Sequence, residues 1–321
     1  MTILVTGAAG FIGAYVCQAL GARNQQVVGI DNYAPYYDRA IKYDRLATLC
    51  PNVTVHRCDI TDFAQLSRIF AAVAPTQVIH LAAQAGVRYS MENPHLYAQT
   101  NVVGFVNVLE LCRHSPVTHL VYASSSSVYG DSATPPFNES QSIQQPRSLY
   151  AATKIANEAM AYSYTQLYGL RATGLRFFTV YGPWGRPDMA PVLFSRAILA
   201  GRPITVFNHG QQQRDFTHIH DITAGIIAAL SAPADPHQRH RIFNLGNQTP
   251  VALEMFIQVI ERAAGRSAIK HYQQAQPGDM EATMADTRLA HATFGFDPTI
   301  TIDVGMPPVV SWCNTYFGTT V

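Results

Sequence analysis

Tyr150 and Lys154 stand four residues apart in Ser148-Leu149-Tyr150-Ala151-Ala152-Thr153-Lys154, a segment with helical periodicity. On a helix that spacing stacks both side chains on one face, about one turn apart. An isolated phenol keeps its proton up to pH ~10 and is a poor base at neutrality. A lysine ammonium beside it favours the phenolate and lowers that value, and an oxidised nicotinamide, also positive, acts in the same direction. Next to a redox cofactor the pair is therefore a usable general base. Tyrosine and lysine also meet at this spacing by chance, so the elements around them decide.

Thr2-Ile3-Leu4-Val5-Thr6 is a β-branched run followed by Gly7-Ala8-Ala9-Gly10-Phe11-Ile12-Gly13 and a helical pattern through Leu20. Strand, glycine turn and helix bring backbone N–H groups and the positive end of a helix dipole to one point, which suits a pyrophosphate. The spacing is Gly-x-x-Gly-x-x-Gly, a variant of the usual dinucleotide fingerprint. Val27-Val28-Gly29-Ile30 ends in Asp31, an acid at the tip of a second strand that accepts from ribose hydroxyls and repels a 2′-phosphate, favouring NAD over NADP. Val53 to Asp59 reads as a third strand closing on a carboxylate that would face the adenine, and Gln77 to Ala83 as a fourth with small terminal residues. An amphipathic pattern from about Pro94 to His114 precedes a fifth strand, Thr118 to Ala123, which runs into Ser124-Ser125-Ser126-Ser127-Val128-Tyr129-Gly130. The alternation predicts an α/β fold, a Rossmann-like doubly wound parallel sheet, with the polar candidates gathered beyond the carboxyl ends of its strands.

The 321 residues suffice for a main unit and a smaller one. Arg171 to Phe178 reads as a sixth strand, broken by Thr179-Val180-Tyr181-Gly182-Pro183; a helix to Leu199 and short strands to Asn247 follow. We therefore expect a dinucleotide-binding domain over 1–180 and a smaller C-terminal α/β substrate domain over 181–321, with part of 216–246 returning to the main sheet. Val251 to Ala264 and Arg288 to Phe294 have helical patterns, and 233–240 reads as a polar connector. Arg186 and Arg214, each in loop-like surroundings, suit bidentate recognition of a diphosphate. His218-Ile219-His220-Asp221 lacks a third metal ligand at a recognisable spacing, so no metal is expected, and Asp221 is read as an N-cap.

Charged residues make up 13% of the chain and the net charge is +1, which points to neither a nucleic-acid nor a membrane-surface partner. No apolar run approaches ~20 residues and no signal peptide is read. Five scattered cysteines without Cys-x-x-Cys spacing suggest a reduced, cytoplasmic protein.

The glycine turn with Asp31, Asp59-Ile60, His80-Leu81-Ala82-Ala83, Ser124 to Gly130, and Tyr150 with Lys154 together resemble the extended short-chain dehydrogenase/reductase superfamily of nucleotide-sugar epimerases and dehydratases. Within it, Asp31-Asn32-Tyr33 through Asp38, Ala85 to Ser90, Leu175 to Ala190, and Asn208 to Gly210 with Gln213 to Phe216 are similar to the UDP-glucuronate 4-epimerases. That resemblance implies an NAD-dependent isomerase acting on carbon 4 of a UDP-hexuronic acid through a 4-keto intermediate. It implies NAD contacts from Gly7, Gly10, Phe11, Ile12, Gly13, Asp31, Asn32, Asp59, Ile60, Leu81, Ala82, Ala83, Asn101, Tyr150, Lys154, Phe177 and Val180. Tyr150, Lys154 and Ser125 become the catalytic set. Arg88, Ser125, Ser126, Ser127, Tyr150, Thr179, Arg186, Arg214 and Asp279 become the UDP-sugar set, and a homodimer through 94–114 and 147–168 is implied. Ser126 and Ser127 hold the slot where dehydratases carry an acidic pair and decarboxylases, at the Ser127 position, a glutamate. A UDP-glucose or UDP-N-acetylglucosamine 4-epimerase, and a non-catalytic NAD-sensing protein on the same fold, are the alternatives.

Overall fold

The computed structural model describes residues 1–232, 238–274 and 282–318. Its strands are β1 (Thr2–Thr6), β2 (Gln26–Asp31), β3 (Thr54–Arg57), β4 (Gln77–His80), β5 (His119–Ser125), β6 (Ala172–Phe177), β7 (Thr179–Tyr181), β8 (Ile204–Val206), β9 (Gln213–His218), β10 (His240–Leu245), β11 (Pro250–Ala252) and β12 (Lys270–Tyr272). Seven of them form one parallel sheet in the order β10-β6-β5-β4-β1-β2-β3. Being covered on both faces, its central strands are almost continuously apolar, as in Ile3-Leu4-Val5 and Leu120-Val121-Tyr122, all essentially buried.

The helices are α1 (Phe11–Gly21), α2 (Ala40–Leu49), α3 (Phe63–Val73), α4 (Val87–Glu92), α5 (Pro94–Tyr97), α6 (Gly104–Arg113), α7 (Leu149–Tyr168), α8 (Ala190–Leu199), α9 (Ile219–Ser231), α10 (Leu253–Ala264), α11 (Arg288–Phe294) and α12 (Ile302–Phe317). On one face of the sheet α1 and α9 contribute Val16, Leu20, Ile222 and Ile226 to a core with Val5 and Leu175; on the other, α3, α6 and α7 contribute Phe70, Phe105 and Ala161 to a core with Leu4 and Leu120. A third core joins α8, α10 and α12 around Phe216, Phe256 and Met306. There β11-β9-β7 form a three-stranded sheet, while β12 pairs with β8. The chain thus leaves the main sheet after β6, builds β7 to β9 outside it, and re-enters through β10 beside β6.

Three local readings change. The pattern at 94–114 is not one regular helix: a π-helical turn, Ala98–Val103, separates α5 from α6 and buries Thr100 and Asn101. Val251 lies in β11, whose pairing with β9 outcompetes the helical pattern that starts two residues later. Asp221 does not cap α9: the His218 ring accepts from the His220 amide at 3.3 Å, and the Asp221 carboxylate instead accepts from Ile300 N at 3.1 Å. The connector expected over 233–240 falls largely outside the described residues.

Candidate active site

The glycine turn is made of backbone packed on backbone. Gly7 has φ +73° and a Cβ there would lie 2.7 Å from Ala82 N; one on Gly13 would lie 2.1 Å from the Gly7 carbonyl oxygen. Gly10 caps α1, so Phe11, Ile12 and Gly13 open the helix with its unpaired N–H groups at the strand ends. At the tip of β2, the Asp31 carboxylate accepts from Ala9 N at 3.0 Å and Tyr33 N at 2.7 Å, with the Lys42 ammonium 3.8 Å away. Asn32 donates to Asp59 at 2.7 Å, and Thr61 donates to the other oxygen of Asp59. Burial raises the Asp59 carboxyl, but the hydrogen bonds from Asn32 and Thr61 outweigh it and hold it below the usual range. Asn32, Tyr36, Arg57, Asp59 and Gln84 line a cavity of about 620 Å³, and Ile60, next to Asp59, is buried. Leu81, Ala82 and Ala83 follow β4, and Asn101 holds the next segment by bonding both the amide and the carbonyl of Gln84, at 2.8 and 3.0 Å. An acid at the β2 tip, a backbone-only turn and a cavity lined by Asn32 and Asp59 form a donor set that fits a dinucleotide.

Ser148 caps α7 by accepting from Ala151 N at 3.1 Å, which places Tyr150 in the first turn and Lys154 one turn deeper. Lys154 is 2% exposed; its ammonium donates to the Ala123 carbonyl at 2.9 Å and lies 6.0 Å from the Tyr150 ring centre. Burial brings that lysine down to about 8, against the opposing field of Glu158. The phenol is raised, not lowered: burial dominates, and the groups that pull it back are the Ser125 hydroxyl, as hydrogen-bond partner, and the Arg186 guanidinium. The drop expected from Lys154 is thereby corrected to a rise, because burial of the phenol outweighs the groups that favour the phenolate, and Lys154 is not among those groups. His80, bonded to Thr6 Oγ1 at 2.8 Å, is kept neutral by burial and by Lys154, at about 3.

Ser125 Oγ donates to Ser127 Oγ at 3.1 Å and accepts from the Ser127 amide, so Ser125, Ser126 and Ser127 form a hydroxyl row at the end of β5. Phe177 ends β6, buried, and Thr179 and Val180 continue into β7 opposite Phe216 and Thr217. Arg186 makes a bidentate pair with Asp188 at 3.1 and 2.6 Å, and Tyr36 donates to the same carboxylate at 2.9 Å. It lies within electrostatic reach of Tyr150, which is where the structure places it, rather than alone in a loop. Arg88 stacks 4.9 Å over the Phe207 ring. Arg214 sits on β9, partly buried, beside Asp215, whose carboxylate accepts from the amides of Ala285, Asn247 and Gln248. Asp279 lies outside the described residues.

Sequence reading missed Arg45. Fully buried on α2, it donates to the Ala9 carbonyl at 2.6 Å and to the Trp184 carbonyl at 3.0 and 2.8 Å, tying the glycine turn to the loop that carries Arg186. Beside it Asp44 is hydrogen-bonded by Tyr316 of α12. One arginine in an amphipathic helix gives no sequence signal for such a role. Among the described residues no His, Cys, Asp and Glu cluster could hold a metal, no helix is long and apolar enough to cross a membrane, and all five cysteines are buried free thiols.

The family model described as "NAD dependent epimerase/dehydratase family" matches residues 3–246. The chain is 45% identical to UDP-glucuronate 4-epimerase 4 of Arabidopsis thaliana, over 99% of this chain and 76% of that one. The crystal structure of UDP-glucuronic acid 4-epimerase from Bacillus cereus, in complex with UDP-glucuronic acid and NAD, superimposes with a TM-score of 0.93 at 32% identity, covering 98% of this chain and 100% of that one. UDP-glucose 4-epimerase from Thermotoga maritima, with UDP-glucose, superimposes with a TM-score of 0.91 at 26% identity, covering 99% and 100%.

Proposed function

The chain belongs to the NAD dependent epimerase/dehydratase family, and we propose that it inverts carbon 4 of UDP-glucuronate, interconverting it with UDP-galacturonate through a transient 4-keto sugar. Similarity to a UDP-glucuronate 4-epimerase over 99% of the chain carries this reading. NAD, when bound, would supply a reversible acceptor for the hydride of carbon 4, so that no net oxidation results. It would be held by the glycine turn, by Asp31, Asn32 and Asp59 at the adenosine end, and by Leu81 to Ala83, Asn101, Lys154, Phe177 and Val180 along the strand ends. Tyr150 takes the proton of the carbon 4 hydroxyl, shares it with Ser125, and gives it back once the tethered keto sugar has turned its other face. Lys154, as the ammonium, would grip the nicotinamide ribose, while the Ser125 hydroxyl and the Arg186 guanidinium pull the phenol back toward the phenolate.

A 4-keto group lies β to the carboxylate of a uronic acid and invites loss of carbon dioxide. Ser126, Ser127 and Thr179 are neutral donors suited to holding that carboxylate without driving its cleavage, and no acid stands at 126 or 127. Arg88, Arg186 and Arg214 are assigned to the diphosphate and sugar, and Asp279 to the uridine ribose. Incubation with UDP-glucuronate and, separately, UDP-glucose, with products resolved by NMR, tests the assignment. UDP-galacturonate is the expected product; turnover of UDP-glucose alone would move the protein to the neutral-sugar epimerases, and inertness toward both would leave a cofactor-binding protein.

The protein is also assigned a homodimer, supported by Leu96 and Val103 in the 94–113 segment and by Tyr162 and Leu167 of α7, all exposed apolar side chains, Leu167 to 68%. Sedimentation at micromolar concentration should give twice the 35.2 kDa chain mass; a monomer would refute it. Five buried thiols support a cytoplasmic setting.

A further inference from the structure

Tyr150, Lys154 and Glu158 follow one another at four-residue intervals on α7, and each engages one of three consecutive residues of β5. The phenol meets Ser125, the ammonium donates to the Ala123 carbonyl at 2.9 Å, and the Glu158 carboxylate accepts from Ser124 Oγ at 2.5 Å. Glu158 is 6% exposed and receives a bidentate pair from Arg176 of β6, 3% exposed, at 2.9 and 2.7 Å. Arg176 faces Ser124 in the β5–β6 register and stacks 4.8 Å over the Tyr129 ring. Desolvating two charges makes such a pair an inefficient stabiliser, one that apolar residues of equal volume could replace. Its place, one turn behind the lysine, points to a different job.

We propose that Glu158 is a positioning residue of the epimerisation: clamped by Arg176 and Ser124 and one turn along α7 from Lys154, its carboxylate fixes the lysine-bearing helix against the serine end of β5 and supplies the negative field in which the ammonium sits. This deepens the epimerase reading and rests on it. The groups facing Lys154 are Tyr150 and Glu158 on its own helix and His80 from β4, with Arg176 of β6 behind Glu158. Tyr122 and His240, packed near the Glu158–Arg176 pair, are both held neutral by burial. Among these, Glu158 is the group whose field supports the ammonium.

The ammonium is the working form, so activity is lost as pH rises through the Lys154 titration, which burial has brought down to about 8. Removing the negative charge in E158Q should lower that titration further and move the alkaline limb of kcat to lower pH. Removing the positive charge in R176Q leaves Glu158 uncompensated and should move it to higher pH. A displacement of about one pH unit, a tenfold change in the ammonium fraction above the limb, is expected in each direction, with KM within about twofold. A mere buttress would lower thermal stability in both variants without opposite displacements. The chain has three lysines, Lys42, Lys154 and Lys270, so ¹⁵Nζ NMR of lysine-labelled protein can follow Lys154 without any turnover. If a single variant does not fold, the doubly neutral E158Q/R176M, which leaves no buried charge unpaired, should still show the downward displacement. Opposite shifts in the two single variants, or the downward shift in the double one, support the proposal; an unmoved Lys154 titration, or shifts of one sign in both single variants, overturns it. A wild-type protein inert toward UDP-glucuronate would sink the substrate reading alone, because the NMR titration does not depend on it.

Discussion

Tyr150→Phe should lower kcat by roughly two to four orders of magnitude while leaving KM for UDP-glucuronate within a few-fold, the signature of losing a general base without losing binding. The substitution keeps the ring and its edge contact with Tyr97, at 6.2 Å between centres, and leaves the Ser148 cap of α7 intact, so the fold has no reason to change. What disappears is the oxygen opposite Ser125 and near Arg186, through which the structure tunes the phenol. Steady-state kinetics with circular dichroism on the same preparation measure both halves of the expectation. A variant retaining more than about a tenth of the wild-type rate would remove Tyr150 from the reaction.

Gly13→Ala should abolish retention of NAD through purification and lower the melting temperature. The added Cβ would lie 2.1 Å from the Gly7 carbonyl oxygen and 2.8 Å from its carbonyl carbon, both backbone atoms of the turn itself. No rotamer relieves such an overlap, so the turn must open; the strain is on the order of 1–3 kcal/mol or more. Opening it displaces Gly7 from Ala82 and turns the first amides of α1 away from the point where the pyrophosphate would lie. Thermal melts, with the nucleotide released by denaturation and quantified chromatographically, report the two effects separately. Wild-type cofactor content with an unchanged melt would mean that the turn yields easily and that the three glycines have another cause.

The first six strands were readable because a sheet buried on both faces writes itself as apolar runs, and because its carboxyl edge is marked by residues with distinctive chemistry, the glycines, Asp31 and the serines. Legibility fails where tertiary partners decide. Asp221 looks like a cap until Ile300 arrives to claim its carboxylate, and Val251 looks helical until β9 offers it a ladder. α12 escaped notice because Pro307 and Pro308 sit inside it, although Ile302, Met306, Val309, Val310 and Cys313 recur at helical spacing and are buried. In the site, single residues with intrinsic chemistry were visible, whereas Arg45 and Asp188 acquire meaning from the distant Trp184 and Tyr36, and Glu158 and Arg176 only from meeting each other between α7 and β6.

The late return of β10 to the main sheet bears on any attempt to prepare the cofactor lobe by itself. A polypeptide ending near residue 180 would leave β6 with a bare row of amides and carbonyls, a template on which further chains can add, and would strip the α1 face of the α9 residues that cover it. Such a fragment should precipitate or polymerise. One carried through residue 246 gives β6 back its neighbour and restores α9, so the smallest piece with a complete main sheet is set by the topology of the sheet, not by the point where the chain first departs from it.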